Sequence, residues 1–265
     1  MSKGQDGSGR NDARNDGSYG SGKDDTGVAI VLVHGAWLGA WAWKRVLGPL
    51  RAAGHRVFPV TLSGVGERAH QPHEGIRLQT HIDDVKAVIE CEELSEVLLV
   101  GHSYSGMVIT GVADQMPDRI ARLVYLDAVV PEPGESWSSR HTPETQAQRR
   151  ALIAEFGHLP VTEPQGMGLK PADFDWMMRC QRPQPGGVYD SPLSFDKQAW
   201  LGRARTFIDC NRPALLTIAA ARERARSQPG WELFEIPTGH QVMVSAPEAL
   251  TERLLMLAER ERGGG

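Results

Sequence analysis

The chain has 265 residues, of which 40% are hydrophobic, and its 29 basic and 33 acidic residues give a formal net charge of −4. This length predicts one large domain, or one domain with an insertion, and suffices for a sizeable core. The charge provides no basic field for nucleic acid or anionic lipid, and no apolar stretch approaches the roughly 20 residues that cross a bilayer. We expect a small-molecule substrate and neither nucleic acid nor membrane as a partner; a homodimer stays open.

Residues 1–27 consist mostly of Gly, Ser, Asp, Asn and charged residues. Such a segment cannot bury enough apolar surface to offset its ordering entropy, so we predict a disordered tail. The three cysteines, Cys91, Cys180 and Cys210, are far apart and show no metal-ligand spacing. Free thiols in a reducing cytoplasm are the expectation.

From residue 28 onward, short apolar runs alternate with helical patterns. The predicted strands cover residues 28–33, 55–62, 96–100, 122–130, 204–210 and 231–237. The predicted helices cover residues 43–54, a segment that begins at Thr80, and residues 105–116 and 245–260. The helix at Thr80 is predicted from the capping-box spacing Thr80-x-x-Asp83. The alternation indicates an α/β fold with a mostly parallel sheet, whose functional residues gather at the carboxyl ends of the strands.

Residues 131–205 break this alternation. They are rich in proline and contain clustered Trp, Phe and Met residues without a clean strand–helix rhythm. An inserted lid explains this better than another layer of sheet. We therefore predict a core made of residues 28–130 and 206–262, with a lid at residues 131–205.

The stretch GHSYSG at residues 101–106 directly follows the predicted strand EVLLV. A nucleophile elbow needs a strand, a sharp turn and a helix, with the nucleophile at the apex and small residues two positions before and after it. Gly101 and Ser105 meet this requirement around Ser103, although Ser105 replaces the usual glycine. Ser105 itself would lie inside the helix. Ser103 is therefore the predicted nucleophile.

Six stretches carry a resemblance to a known family: VLVHGAWLGAWAWKRV, VTLSGVGERAH, THIDDVKAVIE, VLLVGHSYSGMVITGVAD, RLVYLDAVVP and TGHQVMVSAPEAL. Together they resemble the α/β-hydrolase superfamily, and within it the plant methylesterase and hydroxynitrile lyase branch with its bacterial esterase relatives. The resemblance implies an α/β-hydrolase fold, with a mostly parallel, doubly wound sheet and an inserted helical lid. The lid stretch itself matches poorly.

The resemblance also implies a Ser–acid–His triad without any cofactor. His240 would take the proton of Ser103 as general base and return it to the leaving group. The backbone N–H groups of Ala36 and Tyr104 would form the oxyanion hole.

The acid of the triad has two candidates. In the methylesterase branch it stands a few residues past the strand at 204–210, where this chain has Asn211 and Arg212, and Asp209 is the nearest carboxylate. Some dehalogenase-like relatives place it one strand earlier, in a segment that VYLDAVVP resembles, which points to Asp127. A charged Asp at the end of an apolar strand also needs a partner, which the imidazolium of His240 would provide. We favour Asp127 and keep Asp209 as the alternative.

The predicted substrate-binding residues are aromatic or apolar: Trp37, Trp137, Phe174, Trp176 and Met177. They suit a medium-sized hydrophobic or aromatic compound. His70 and His73 lie three residues apart but lack a third ligand, so no metal is expected.

The leading function is hydrolysis of an ester, with a thioester or a lactone as variants. A lyase or cyclase in polyketide or aromatic-compound metabolism is the second hypothesis, and a ligand-binding receptor with weak hydrolysis is the third. Hydroxynitrile lyases of the resembling branch typically carry a Thr in the first turn and a Lys after the histidine. This chain has Gly35 and Gln241 there, which disfavours cyanohydrin cleavage.

Overall fold

The structure, a computed structural model, describes Met1 and residues 27–163 and 168–263. The predicted disordered tail therefore lies, apart from its two end residues, outside the described part. The strands are β1 Ala29–Val33, β2 Arg56–Val60, β3 Val97–His102, β4 Ile120–Leu126, β5 His158–Leu159, β6 Gln184–Pro185, β7 Ala204–Cys210 and β8 Trp231–Ile236. The α-helices are α1 Lys44–Ala52, α2 Leu78–Cys91, α3 Ser105–Gln115, α4 Pro143–Phe156, α5 Pro171–Cys180, α6 Lys197–Leu201, α7 Ala219–Ser227, α8 Val242–Ser245 and α9 Pro247–Gly263.

Six of the strands in the described residues form one sheet of order β2-β1-β3-β4-β7-β8, and each neighbouring pair is parallel. This arrangement confirms the predicted α/β fold. Strand β1 shows why the sheet is covered on both faces, since all five of its residues are buried. Ile30 and Leu32 face the cluster that contains α1 and α9 residues, whereas Val31 and Val33 face the cluster of α2 and α3. The period of two along a strand thus supplies two apolar layers from one continuous apolar run.

Helix α2 begins two residues before the predicted start. Thr80 is the third residue of this helix, and its hydroxyl accepts a hydrogen bond from the backbone N–H of Arg77 at 3.1 Å. The prediction that Thr80 begins the helix was therefore wrong. Thr80 lies within the first turn, and its side chain caps the backbone N–H of Arg77, which precedes the helix.

The chain between β4 and β7 leaves the sheet and returns to a neighbouring strand. This β4–β7 segment, residues 127–203, contains α4, α5, α6 and the short antiparallel pair β5 and β6. Glu135 anchors it to α7, because its carboxylate accepts hydrogen bonds from Arg224 at 2.8 and 2.9 Å. None of the helices in the described residues is both long and apolar enough to cross a membrane.

Candidate active site

Ser103 occupies a strained turn between β3 and α3. Its φ is +56°, a left-handed conformation that a residue with a side chain seldom adopts. The turn is held by main-chain hydrogen bonds: the Ser103 N–H donates to the carbonyl of Leu126 at 3.2 Å, and the Ser103 carbonyl accepts from Val129 at 2.9 Å. The neighbouring strand therefore fixes the serine at the carboxyl edge of the sheet.

Small residues around Ser103 allow α3 to pass close to the sheet. A Cβ atom on Gly101 would lie 2.7 Å from the carbonyl oxygen of Ser105, and one on Gly106 would lie 1.8 Å from that of Val129. The side chain of Ser105 is buried and donates a hydrogen bond to the carbonyl of His34. Its hydroxyl is thus engaged in packing the helix start, whereas Ser103 lines a cavity.

The structure brings His240 and Asp127 into direct contact. The Nδ1–H of His240 donates to Oδ2 of Asp127 at 2.6 Å, and both side chains are buried. The other carboxylate oxygen, Oδ1, accepts a hydrogen bond from Nη2 of Arg222, also at 2.6 Å. Asp127 is thus held between an imidazole and a guanidinium, and this partner on Nδ1 leaves Nε2 of His240 as the basic nitrogen.

Asp209, the alternative acid, lies in β7 and makes different contacts. Its carboxylate accepts hydrogen bonds from Nε of Arg222 and, at 2.7 Å, from Nη2 of Arg226. None of the described hydrogen bonds joins Asp209 to His240. The structure therefore brings Asp127, rather than Asp209, to the histidine, and Arg222 connects the two carboxylates.

The backbone amides of Ala36 and Tyr104 stand at the turns after β1 and β3. Within the described chain, neither N–H donates a hydrogen bond to another group. Gly35 lets the two turns approach each other, because a Cβ there would lie 2.9 Å from Cβ of Ser103. The phenol of Tyr104 contacts His81 at 3.1 Å instead of the cavity. These amides therefore have the free donors that an oxyanion hole requires.

A second histidine, His102, packs against His240 with ring centroids 4.5 Å apart. Its Nε2 donates to the carbonyl oxygen of His240 at 2.9 Å. Burial, and then the proximity of His240, hold the pKa of His102 well below its usual value. His102 is therefore neutral at physiological pH and adds no positive charge beside His240.

These groups border a cavity of about 160 Å³. Its lining comprises Gly35, Ala36, Trp37, Leu38, His102, Ser103, Val129, Trp137, Arg140, His141, Arg149, Thr162, Glu163, Gln181, Leu215, Thr217, Ile218, His240 and Gln241. Ser103 and His240 thus share one cavity with the turn that carries Ala36. Trp37, itself at φ +65°, and Trp137 form an aromatic wall with ring centroids 5.6 Å apart.

The other predicted substrate-binding residues do not line this cavity. They lie on α5. Trp176 contacts Trp41 with ring centroids 5.2 Å apart, and Met177 is buried in the cluster that contains α1 and α9 residues. Phe174 is half-buried on the same helix. Sequence reasoning instead missed Arg140 and Arg149, because their approach to the cavity depends on how the β4–β7 segment folds.

The polar loop after β2 serves packing in this structure. His73 donates to the carbonyl of Gly64 at 3.0 Å, while His70 contacts the carbonyl of Glu67 at 3.2 Å. Arg68 pairs with Asp84 of α2 at 2.7 Å. The described residues contain no group of three or more His, Cys, Asp or Glu side chains arranged for a metal ion.

Fold and site together define a protein of the α/β-hydrolase class. The chain belongs to the Alpha/beta hydrolase family, whose profile matches residues 30–253. It is 40% identical over 238 residues to a carbendazim hydrolyzing esterase from Nocardioides sp. (strain SG-4G), with 86% of this chain and 98% of that protein covered.

More distant proteins are similar to this chain in sequence or in fold. Methylesterase 2 from Arabidopsis thaliana is 26% identical over 264 residues, which cover 87% of this chain and 95% of that protein. An extracellular α/β-hydrolase from a Paenibacillus species superimposes with a TM-score of 0.76 at 22% identity, covering 87% of this chain and 98% of that one. The fold predicted from the sequence is thereby confirmed.

Proposed function

We propose that this protein is a carboxylic ester hydrolase that works through an acyl-enzyme on Ser103. The observation that carries the proposal is the 2.6 Å contact between His240 and Asp127 at the cavity that also holds Ser103. The 40% identity to a bacterial esterase over nearly its full length supports ester hydrolysis in particular.

In the first half-reaction, Nε2 of His240 accepts the hydroxyl proton of Ser103 while Oγ bonds to the ester carbonyl carbon. Asp127 holds the imidazole in the required tautomer and stabilises the imidazolium. The carbonyl oxygen becomes an oxyanion, to which the amides of Ala36 and Tyr104 donate; one such donor is typically worth about 10²- to 10³-fold in kcat. The bond to the alcohol oxygen then breaks, and His240 returns the proton to the alcohol.

In the second half-reaction, His240 takes a proton from water as the water oxygen bonds to the acyl carbon. The new tetrahedral intermediate collapses, the bond to Oγ breaks, and Ser103 recovers its proton from His240. The products are the acid and the alcohol.

The size and lining of the cavity favour a small substrate with an apolar portion. Trp37, Trp137, Leu215 and Ile218 supply apolar wall around about 160 Å³. This volume lies below the range of drug-sized pockets, roughly 300–1,000 Å³. We therefore propose a short or flat acyl group with an apolar portion rather than a long chain.

The test uses p-nitrophenyl acetate turnover and labelling with a serine-directed fluorophosphonate. Intact-protein mass spectrometry should show one adduct, and peptide mapping should place it on Ser103. Ser103→Ala should lose both turnover and adduct, whereas Ser105→Ala should still be labelled, since the Ser105 hydroxyl donates to the His34 carbonyl. A wild-type chain with neither turnover nor adduct would refute the proposal. Cleavage of a carbon–carbon bond without an acyl-enzyme would point to the lyase instead.

A further inference from the structure

Arg149 extends from α4 onto the cavity of Ser103 and His240. Its guanidinium carbon lies 5.6 Å from the ring centroid of Trp37, 5.3 Å from that of Trp137 and 5.6 Å from that of Tyr189. Cation–π attraction to rings at these distances is favourable, and it restricts where the guanidinium can lie. Aromatic packing therefore presents a positive charge at a defined place in the site.

This charge lacks a counterion in the part of the chain that the structure describes. No salt bridge there joins Arg149 to a carboxylate, and its Nη1 atom is buried without a hydrogen-bond partner. The other arginine of the cavity differs, because Arg140 pairs with Glu135. Glu163 lines the same cavity, and none of the described ion pairs joins it to Arg149.

Burial therefore disfavours the charged form of Arg149, and few interactions offset this effect. It lowers the pKa of Arg149, and only the phenol of Tyr189 acts in the other direction. An arginine nevertheless stays protonated at neutral pH, and a partly buried charge without a counterion is costly. A ligand that brings a negative charge removes this cost, and a carboxylate matches the planar fork of a guanidinium.

We propose that Arg149 binds a carboxylate on the acyl part of the substrate, so that the preferred substrates are monoesters of short dicarboxylic acids. This inference rests on the proposed function, since the acyl part is the part that stays bonded to Ser103. Ser103 and Arg149 line the same cavity, and its volume of about 160 Å³ suits a short acyl chain.

The experiment compares kcat/KM for monomethyl glutarate and methyl pentanoate, two esters of equal acyl length that differ in the free carboxylate. Wild type should prefer the glutarate ester by about 10- to 100-fold, the range of a charge-assisted hydrogen bond in a desolvated site. Arg149→Met should bring this ratio close to one, and Arg149→Lys should give an intermediate ratio because the charge remains without the fork.

Arg150 provides the matched control. It neighbours Arg149 on α4, but its exposed side chain pairs with Asp190 at 2.9 Å away from the cavity. Arg150→Met removes the same charge from the same helix and should leave the ratio of the two esters unchanged.

A wild-type ratio near one, or an Arg149→Met protein that keeps the wild-type ratio, would overturn the inference and leave Arg149 as a packing group. If Arg149→Met does not fold, the wild-type and Arg149→Lys ratios decide. If the wild-type protein shows neither ester turnover nor an adduct on Ser103, the proposed function is refuted instead. Calorimetric binding of monomethyl glutarate against methyl pentanoate, two esters that a protein without turnover leaves intact, then tests the carboxylate site by itself on wild type and Arg149→Lys. Absence of a preference for the glutarate ester would overturn it.

Discussion

Replacing Asp127 by Asn should strongly lower kcat, because it would force His240 into the unproductive tautomer. Arg222 can only donate hydrogen bonds, and its Nη2 lies 2.6 Å from Oδ1 of Asp127. An Asn side chain would therefore turn its oxygen towards Arg222 and its NH₂ towards Nδ1 of His240. That nitrogen would have to accept, which places the imidazole proton on Nε2, where it blocks transfer from Ser103.

The expected loss in kcat is about 10³- to 10⁴-fold, equivalent to about 4–5.5 kcal/mol of activation free energy. The measurement is steady-state turnover of p-nitrophenyl acetate, with thermal unfolding to show that the variant is folded. Asp209→Asn is the matched control, because Asp209 contacts Arg222 and Arg226 but not His240. It should retain activity within about tenfold of wild type. Equal activity of Asp127→Asn and wild type would refute the assignment of the acid.

The orientation argument has its own test in the double variant Asp127→Asn/Arg222→Met. Without the guanidinium, the amide of Asn can rotate and offer its oxygen to Nδ1 of His240. We expect the double variant to exceed the single Asp127→Asn variant in kcat by about tenfold or more, from the return of the productive tautomer. A double variant that is folded yet no more active than Asp127→Asn would show that Arg222 does not set the amide orientation.

Two further predictions concern stability. Gly106→Ala should lower the free energy of unfolding by about 3 kcal/mol, because its methyl carbon would lie 1.8 Å from the carbonyl oxygen of Val129. Gly202→Ala, whose methyl group meets nothing closer than 3.5 Å, should change it by less than about 0.5 kcal/mol; urea unfolding measures both, and equal effects would contradict the packing argument. Burial raises the pKa of Glu135, but hydrogen bonding from Arg224 and the nearby arginine charges outweigh it and lower this pKa to about 2. A folded-state pKa below the unfolded value contributes stability above the unfolded pKa, which is lost as pH falls through the folded one. Glu135→Gln should therefore weaken the dependence of the free energy of unfolding on pH between about pH 5 and pH 2. Thermal melts of wild type and variant that show the same decrease in melting temperature over this pH range would argue against this ion pair.

The sheet was predictable because its strands are short stretches rich in apolar residues, bounded by glycine and polar turns. The pattern EVLLV at residues 96–100 becomes β3, Val97–His102, and the run at residues 204–210 becomes β7 with the same bounds. Positions just after strands were also readable, since parallel strands bring their carboxyl ends to one edge. Ser103, Asp127 and His240 were selected on this basis and on the resemblance, and the structure places them together there.

The charged groups around these residues were not predictable from local sequence. Arg222 lies in the stretch ARERARS, whose composition is typical of a solvent-exposed helix, yet it is buried between Asp127, which follows β4, and Asp209 of β7. Arg149 likewise reads as a surface residue beside Arg150. The aromatic group on α5 looked like a cavity wall, but Trp176 packs on Trp41 instead. Such pairings depend on contacts between distant segments, which no local periodicity encodes.

The left-handed conformations of Ser103 and Asp127 have a consequence for heat resistance. Each of these residues is clamped by its own amide to a carbonyl of the adjacent strand, Ser103 to Leu126 at 3.2 Å and Asp127 to Ile208 at 2.8 Å. The reacting geometry is therefore an extension of the interstrand ladder rather than a property of the loops around it. Inactivation on warming should coincide with melting of the whole sheet, and the amide protons of these two residues should exchange with solvent as slowly as those of the central strands.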